Sequence, residues 1–299
     1  MEPSRCFSIT KALKTTYRVD GKYEDSRHPK EVIFVRNLQE DLLRRDFTIN
    51  AMAYNEKEGL VDIFGGMDDL RAGIIRCVGN AQARFSEDAL RILRGIRFAA
   101  QLGFELEDET REGMRLLAPT LRKISAERIQ AELVKTLTSS RPDLLREAWK
   151  LGITKEFLPE FDLAMETTQE TVHHMYTVGE HILHTLLEVR PDRILRLTML
   201  LHDIGKPYMK TMDADGVAHF KGHPEKSSEL ANEILHRLKF DNDTIRKVTK
   251  LVRYHDHRMP VTPAHVRRAV HEIGEDLFPL YLEVRRADVA AQSMYQHKE

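Results

Sequence analysis

His202 and Asp203 stand side by side in residues 194–204 (ILRLTMLLHDI), an otherwise apolar run of helical period. A buried imidazole beside a buried carboxylate costs several kcal/mol unless something compensates, and a metal ion does so well. Gly205-Lys206-Pro207 ends the run just beyond the pair. Further candidate ligands lie in or beside other amphipathic patterns: His181 in TVGEHIL, His223 in KGHPEKS, His255 in LVRYHDH and Asp288 in RRADVAAQ. Imidazole with carboxylate suits Mn, Fe, Co, Ni or Zn better than Mg alone. An aspartate such as Asp203 can bridge two ions, which activate a water and clamp a phosphate. A single histidine on an amphipathic helix is more often a core or surface residue. That reading is kept for His173, His174, His184, His236, His257 and His271. Packing alone does not explain an adjacent His-Asp pair followed by Gly-Lys.

A second chemistry is written in arginine. Arg91, Arg94 and Arg97 recur every three residues in EDALRILRGIRF, which sets them along one helix face. Glu87 lies four residues before Arg91, the spacing of an ion pair that fixes a guanidinium. Such a row can be a solvated face worth only a few tenths of a kcal/mol per pair. Here it adjoins a wide apolar face of Leu90, Leu93, Ile96 and Phe98. Residues 84–97 carry four Arg against Glu87 and Asp88, and residues 111–128 carry five cations against Glu112 and Glu127. Phosphate or RNA contact fits that excess. Residues 44–50 (RRDFTIN) form another dense cluster, in which Arg45 can neutralise phosphate while Asp46 and Asn50 reach sugar hydroxyls.

The elements that must hold these groups are mostly helical. Residues 31–35 (EVIFV) are strand-prone, and residues 49–54 and 60–64 flank a turn containing Gly59, which predicts a hairpin. Residues 76–150 have helical period, with Ser86 as N-cap, Glu87 and Asp88 in the first turn and Gly103 as the stop. Residues 151–299 are almost all helical, with turns at Pro159, 205–207, Pro224, Pro260 and Pro263. There is no low-complexity stretch and no internal repeat. The 299 residues are 41% hydrophobic and 31% charged, a globular composition that allows about two domains. No run approaches the ~18 apolar residues of a membrane span. Residues 1–14 lack the apolar centre of a signal peptide, and two cysteines, Cys6 and Cys77, make no disulfide framework, so a reducing cytoplasm is expected. The net charge of -1 excludes a chain-wide basic surface but leaves local patches open.

Two resemblances follow. The order His181, His202-Asp203, His223, His255, Asp288 resembles the HD phosphohydrolase superfamily over roughly residues 171–295, in its fuller two-metal form. The resemblance implies that His181, His202, Asp203 and Asp288 hold one ion, that Asp203, His223 and His255 hold a second, and that Lys206 lies near the scissile phosphate. Upstream, TTYRVDGKYEDSRHP (15–29), QEDLLRRDFTINAMAYN (39–55), GLVDIFGGMDDL (59–70), IIRCVGNAQARFSEDALRILRGIRFAAQLGF (74–104) and ISAERIQAEL (124–133) resemble the bacterial CCA-adding tRNA nucleotidyltransferase and poly(A) polymerase family. The residues that match its motifs are then expected to serve the nucleotide. Arg45 and Asp46 would support the ribose and the nucleotide, with Asn50 beside them a candidate from the residue pattern alone. Glu87, Asp88 and Arg91 would present hydrogen bonds to the base of CTP or ATP, and Arg94 and Arg97 would face triphosphate or RNA.

The resemblance is incomplete at the N-terminus. The family's polymerase chemistry needs a Gly-Gly-Ser-like loop and an Asp-x-Asp pair that holds Mg, normally upstream of TTYR. Residues 1–19 contain neither, and Leu13 stands where a third carboxylate is usual. A chain truncated at the N-terminus, and at the C-terminus too, is expected, with residues 1–70 its least stable part. The expected fold is mainly α with a small α+β N-terminal part: a nucleotidyltransferase head remnant (1–73), a helical neck and body (74–145) and an all-α HD domain (146–299). The expected function is tRNA 3′-end CCA addition with an associated HD phosphohydrolase. The alternatives are HD hydrolysis without nucleotidyl transfer, and a non-catalytic RNA-binding remnant. Expected partners are tRNA or other RNA, ATP and CTP with Mg, and a homodimer or a partner chain that completes the head; no membrane is expected.

Overall fold

The computed structural model describes residues 18–20, 32–34, 37–170, 176–258 and 260–292. Strands are short and come in pairs. Val32–Phe34, inside the strand-prone run, pairs antiparallel with Arg18–Asp20. The expected hairpin is Met52–Asn55 against Gly59–Asp62, with Gly59 at φ 77, the left-handed region where a side chain is strained. Residues 44–50 are then tied to the helical body through the backbone. The Asp46 carbonyl accepts from Val78 N at 3.0 Å, and Thr48 N donates to the Arg76 carbonyl at 2.9 Å. Phe47 between them is fully buried and packs edge-on to Phe98.

The arginine helix is Leu90–Leu102. Ser86 does not cap it, contrary to expectation. A separate short helix, Ala81–Glu87, runs through Ser86, and the chain breaks at Asp88 (ψ 102). Ala89 stands at the N-cap position, and the Asp88 carboxylate before it accepts from Leu90 N at 3.0 Å. Gly103 ends the helix at φ 72, as expected. Leu90–Leu102 packs on Ala126–Leu137, and Gly95 makes another close approach possible. A Cβ there would lie 2.1 Å from the Met114 side chain and 3.0 Å from Phe47.

The C-terminal half is a stack of helices: Val178–Glu188, Arg193–Leu201, His223–Arg237, Asn242–Tyr254, Pro263–Ile273 and Phe278–Ala290. Thr177, Asp192, Asp241 and Thr262 cap four of them through side-chain oxygens. Pro159, Pro207, Pro224 and Pro263 all sit in first turns, where their missing N–H costs nothing. One feature departs from an all-α reading: Thr211–Met212 pairs with Ala218–His219. Asp213 makes that hairpin, its side chain accepting from the backbone of Asp215 and Val217. The main hydrophobic core is continuous from Phe47 to Ala287 and crosses residue 145 without a break.

Candidate functional site

Six residues from five separate segments converge in the C-terminal half. His181 lies on Val178–Glu188, and His202 follows directly on Arg193–Leu201 with Asp203 next in the chain. His223 opens His223–Arg237, His255 closes Asn242–Tyr254, and Asp288 comes from Phe278–Ala290. All are at most 8% exposed. Gly205 lets the next helix close over the pair: its N–H donates to Ser227 Oγ at 2.9 Å, and a Cβ would stand 2.5 Å from Ser227 N.

The imidazoles are aimed by the backbone. His202 Nδ1 donates to the Met199 carbonyl at 2.8 Å, His223 Nδ1 to Phe220 at 2.8 Å, and His255 Nδ1 to Val252 at 2.6 Å. A carbonyl only accepts, so each of these Nδ1 atoms carries a proton and each Nε2 is turned inward. His181 Nε2 is 3.0 Å from Asp288 Oδ1 and 3.3 Å from His202 Nε2. His223 Nε2 and His255 Nε2 are 3.2 Å apart, and each lies within 3.4 Å of Asp203 Oδ1. His181 and His202 reach Asp203 Oδ2 at 3.5 and 3.4 Å. Asp203 is thus shared by two ligand groups, His181–His202–Asp203–Asp288 and Asp203–His223–His255.

This donor set fits a cation. Both Asp203 oxygens are buried without a hydrogen bond, although the Lys206 ammonium lies 2.7 Å from Oδ2. Burial opposes the Asp203 charge, but Lys206 and His202 outweigh it and hold the carboxyl well below the usual range. Burial also opposes protonation of His202, yet Asp203 and Asp288 raise its pKa to about 10. Converging lone pairs beside two carboxylates need positive charge at their centre, either a proton or a metal that displaces it. Lys206 donates to Gln169 at 3.0 Å. The centre opens into a cavity of about 580 Å³ whose rim includes His219, Lys221 and Arg258.

A second convergence lies at the arginine helix. Arg91 bonds Glu87 at 2.8 Å, the expected pair, and also donates to the carbonyls of Arg84 and Arg44. Arg94 pairs with Asp46 at 2.6 Å, and Asn50 donates to the same carboxylate at 3.2 Å. Arg97 is 8% exposed, pairs with Glu132 and stacks on Phe98 at 3.8 Å. Asp88 receives Arg128 at 2.7 Å, and Arg45 donates to Asp41 at 3.0 Å. All eight residues assigned to the nucleotide therefore lie on or beside one short segment and one helix start. The register that aligns the three arginines gives each a carboxylate from a different place.

Sequence reasoning did not find Gln169, Glu132 or the rim residues, and it placed Arg128 only within the basic run of residues 111–128. Gln169, Glu132 and Arg128 carry no local signal for these contacts, because each acts through a partner more than 30 residues away. His173 and His174 lie outside the described residues.

Known proteins share both halves. Residues 7–76 match the family model "Poly A polymerase head domain", residues 103–165 match "Probable RNA and SrmB- binding site of polymerase A", and residues 171–290 match "HD domain". A CCA-adding enzyme of Leuconostoc mesenteroides is 34% identical over 268 residues, covering 84% of this chain and 65% of that protein. An A-adding tRNA nucleotidyltransferase of Deinococcus radiodurans is 38% identical over 267 residues, covering 84% of this chain and 61% of that protein. The chain thus spans less than two thirds of the length of either relative. The crystal structure of the Bacillus stearothermophilus CCA-adding enzyme with CTP superposes at a TM-score of 0.65 and 27% identity, covering 92% of this chain and 59% of that one. Three matched regions in this order, with the His-Asp centre inside the third, place this chain in the family of CCA-adding tRNA nucleotidyltransferases and poly(A) polymerases that carry an HD domain.

Proposed function

We propose that this chain serves tRNA 3′-end maturation. It would carry the nucleotide-selecting and RNA-holding parts of a CCA-adding-type nucleotidyltransferase together with an HD phosphohydrolase centre. One observation carries the reading: residues 44–50 and the start of the arginine helix meet across 48 positions, through the Arg94–Asp46 pair and the Arg91 bond to the Arg44 carbonyl. That junction holds Glu87, Asp88 and Arg91 rigidly, as recognition of a base edge by fixed donors and acceptors requires. In this reading Arg45, Asp46 and Asn50 support ribose and phosphate of CTP or ATP bound with Mg. Arg94 organises them, Arg97 secures the helix to its neighbour, and the helices of residues 105–140 hold RNA by its phosphates. The units are 1–73, 74–145 and 146–299, and the location is the cytoplasm. Among the described residues no helix is long and apolar enough to cross a membrane.

At the HD centre, His181, His202, Asp203 and Asp288 would hold one divalent ion and Asp203, His223 and His255 a second, with Mn, Fe, Co, Ni or Zn matching the donors. Such ions supply an activated water and neutralise a phosphoester. Lys206, held by Gln169, would place its ammonium by the phosphate, and the buried walls exclude bulk water.

The test is incubation with a tRNA lacking its 3′ CCA, together with CTP, ATP and Mg, reading RNA length on a gel. Extension by up to three residues supports the proposal. No extension with RNA binding intact removes nucleotidyl transfer from this chain and favours a second reading, a phosphohydrolase acting alone. The buried Asp203 carboxylate, shared by two ligand groups, supports that reading independently of the arginine helix. Metal content with turnover of a simple phosphodiester decides it, and an absence of both leaves a non-catalytic RNA-binding protein.

A further inference from the structure

The chain carries a net charge of -1, yet residues 246–271 hold seven Lys or Arg against one acid, Asp256. Two helices display this excess. Asn242–Tyr254 buries Ile245, Val248, Leu251 and Val252, and its opposite face carries Arg246, Lys250 and Arg253 at i, i+4 and i+7. Ala269 and Ile273 seat Pro263–Ile273 against Leu251, with Arg267 and Arg268 exposed. Asp243 engages Arg246 and Lys247, and Glu272 engages Arg268. Lys250, Arg253 and Arg267 have no carboxylate at ion-pair distance among the described residues. The first helix runs directly into the metal pocket: His255 faces Asp203, and Asp256 and Arg258 line the cavity.

We propose that this face is a track for the phosphate backbone of a single-stranded nucleic acid whose end enters the metal pocket. Only the fate of that end rests on the hydrolase reading above. A cationic ridge with unmatched charges gains by displacing counterions from a polyphosphate. Asp203 and His255, both 1% exposed, line a cavity too small for a duplex, so a single strand is the form that fits. A membrane surface fits poorly, because the apolar face of Asn242–Tyr254 is turned into the core and none is left to insert between lipids.

The test is fluorescence anisotropy of an end-labelled single-stranded RNA of about 12 nucleotides, titrated with the full chain at several salt concentrations. The variants are K250Q/R253Q/R267Q and K250E/R253E/R267E, with thermal melting and metal content as checks on folding. Losing three contacts is expected to lower the slope of log affinity against log salt by about 2, and to weaken binding at 0.1 M salt tenfold to a hundredfold. The charge reversal should weaken it further. Equal affinity and slope in wild type and both variants overturns the track. So does unchanged RNA binding with variant-sensitive binding to anionic vesicles. A chain that hydrolyses no phosphoester but shows the slope change keeps the track and loses only the hydrolase reading.

Discussion

The His-Asp centre and the arginine helix are both dense in buried charge, and they solve that problem in opposite ways. Around Leu90–Leu102 each guanidinium has its own carboxylate: Glu87 for Arg91, Asp46 for Arg94, Glu132 for Arg97. Around Asp203 four imidazole Nε2 atoms and the Asp203 and Asp288 carboxylates converge, and the Lys206 ammonium, 2.7 Å from Oδ2, is the lysine cation set against Asp203. A paired set is complete as it stands and serves to hold a shape. A set of acceptors aimed at one point is complete only with a cation. Buried charge by itself therefore says little about function; whether it is matched within the chain says much more.

The largest effect should come from breaking the shared ligand. Asp203→Ala removes the bridge between the two groups and should abolish bound metal, measured by elemental analysis, and lower phosphoester hydrolysis by at least about a hundredfold. Retention of either would remove Asp203 from the centre. On the paired side, Glu132→Ala leaves Arg97 buried without its partner and should cost roughly 3–5 kcal/mol in urea unfolding. The double change R97M/E132L should recover most of that loss, because apolar groups of similar volume need no partner. Equal losses in the single and double variants would show that the pair contributes something beyond its own neutralisation.

Gly205→Ala forces a methyl group against the backbone of Ser227 and should cost about 1–3 kcal/mol. It should lower metal affinity along with stability, whereas a loss of stability alone would uncouple the helix contact from the centre. The smallest effect concerns Cys77, buried beneath the arginine helix. Burial pushes its thiol from 9.0 up to about 12. The folded state then keeps a proton that the unfolded chain releases above pH 9. Stability from this group is full below pH 9 and falls as pH rises toward 12, by about 1.4 kcal/mol at pH 10. Thermal melts from pH 8 to 10 should show that decline, and Cys77→Ala should flatten it. A parallel decline in the variant would assign the loss to other groups.

Much of the centre was legible in the sequence because its ligands sit in apolar helical patterns that leave a polar residue no other reason to be there. His202-Asp203 within ILRLTMLLHDI is the clearest case. The strand of residues 32–34, the Gly59 hairpin and the Gly103 stop were legible because each depends on local backbone preference. Ser86 misled because two helices meet end to end there, and a propensity rule sees a cap wherever Ser precedes acids. The hairpin of residues 211–219 was missed because two-residue strands have no period to read.

The sequence alone determined which side chains are available and on which helix faces they lie, since 3.6-residue periodicity and capping are local properties. It set His181, His202, Asp203, His223, His255 and Asp288 on inward faces, and Arg91, Arg94 and Arg97 in register. Tertiary structure alone decided that Arg97 would be neutralised by Glu132 while Asp203 would be shared by His181, His223 and His255. Both depend on side chains far apart in the chain arriving within about 3.5 Å of each other. Only packing of the helices, with Gly95 and Gly205 at their closest approaches, fixes such distances.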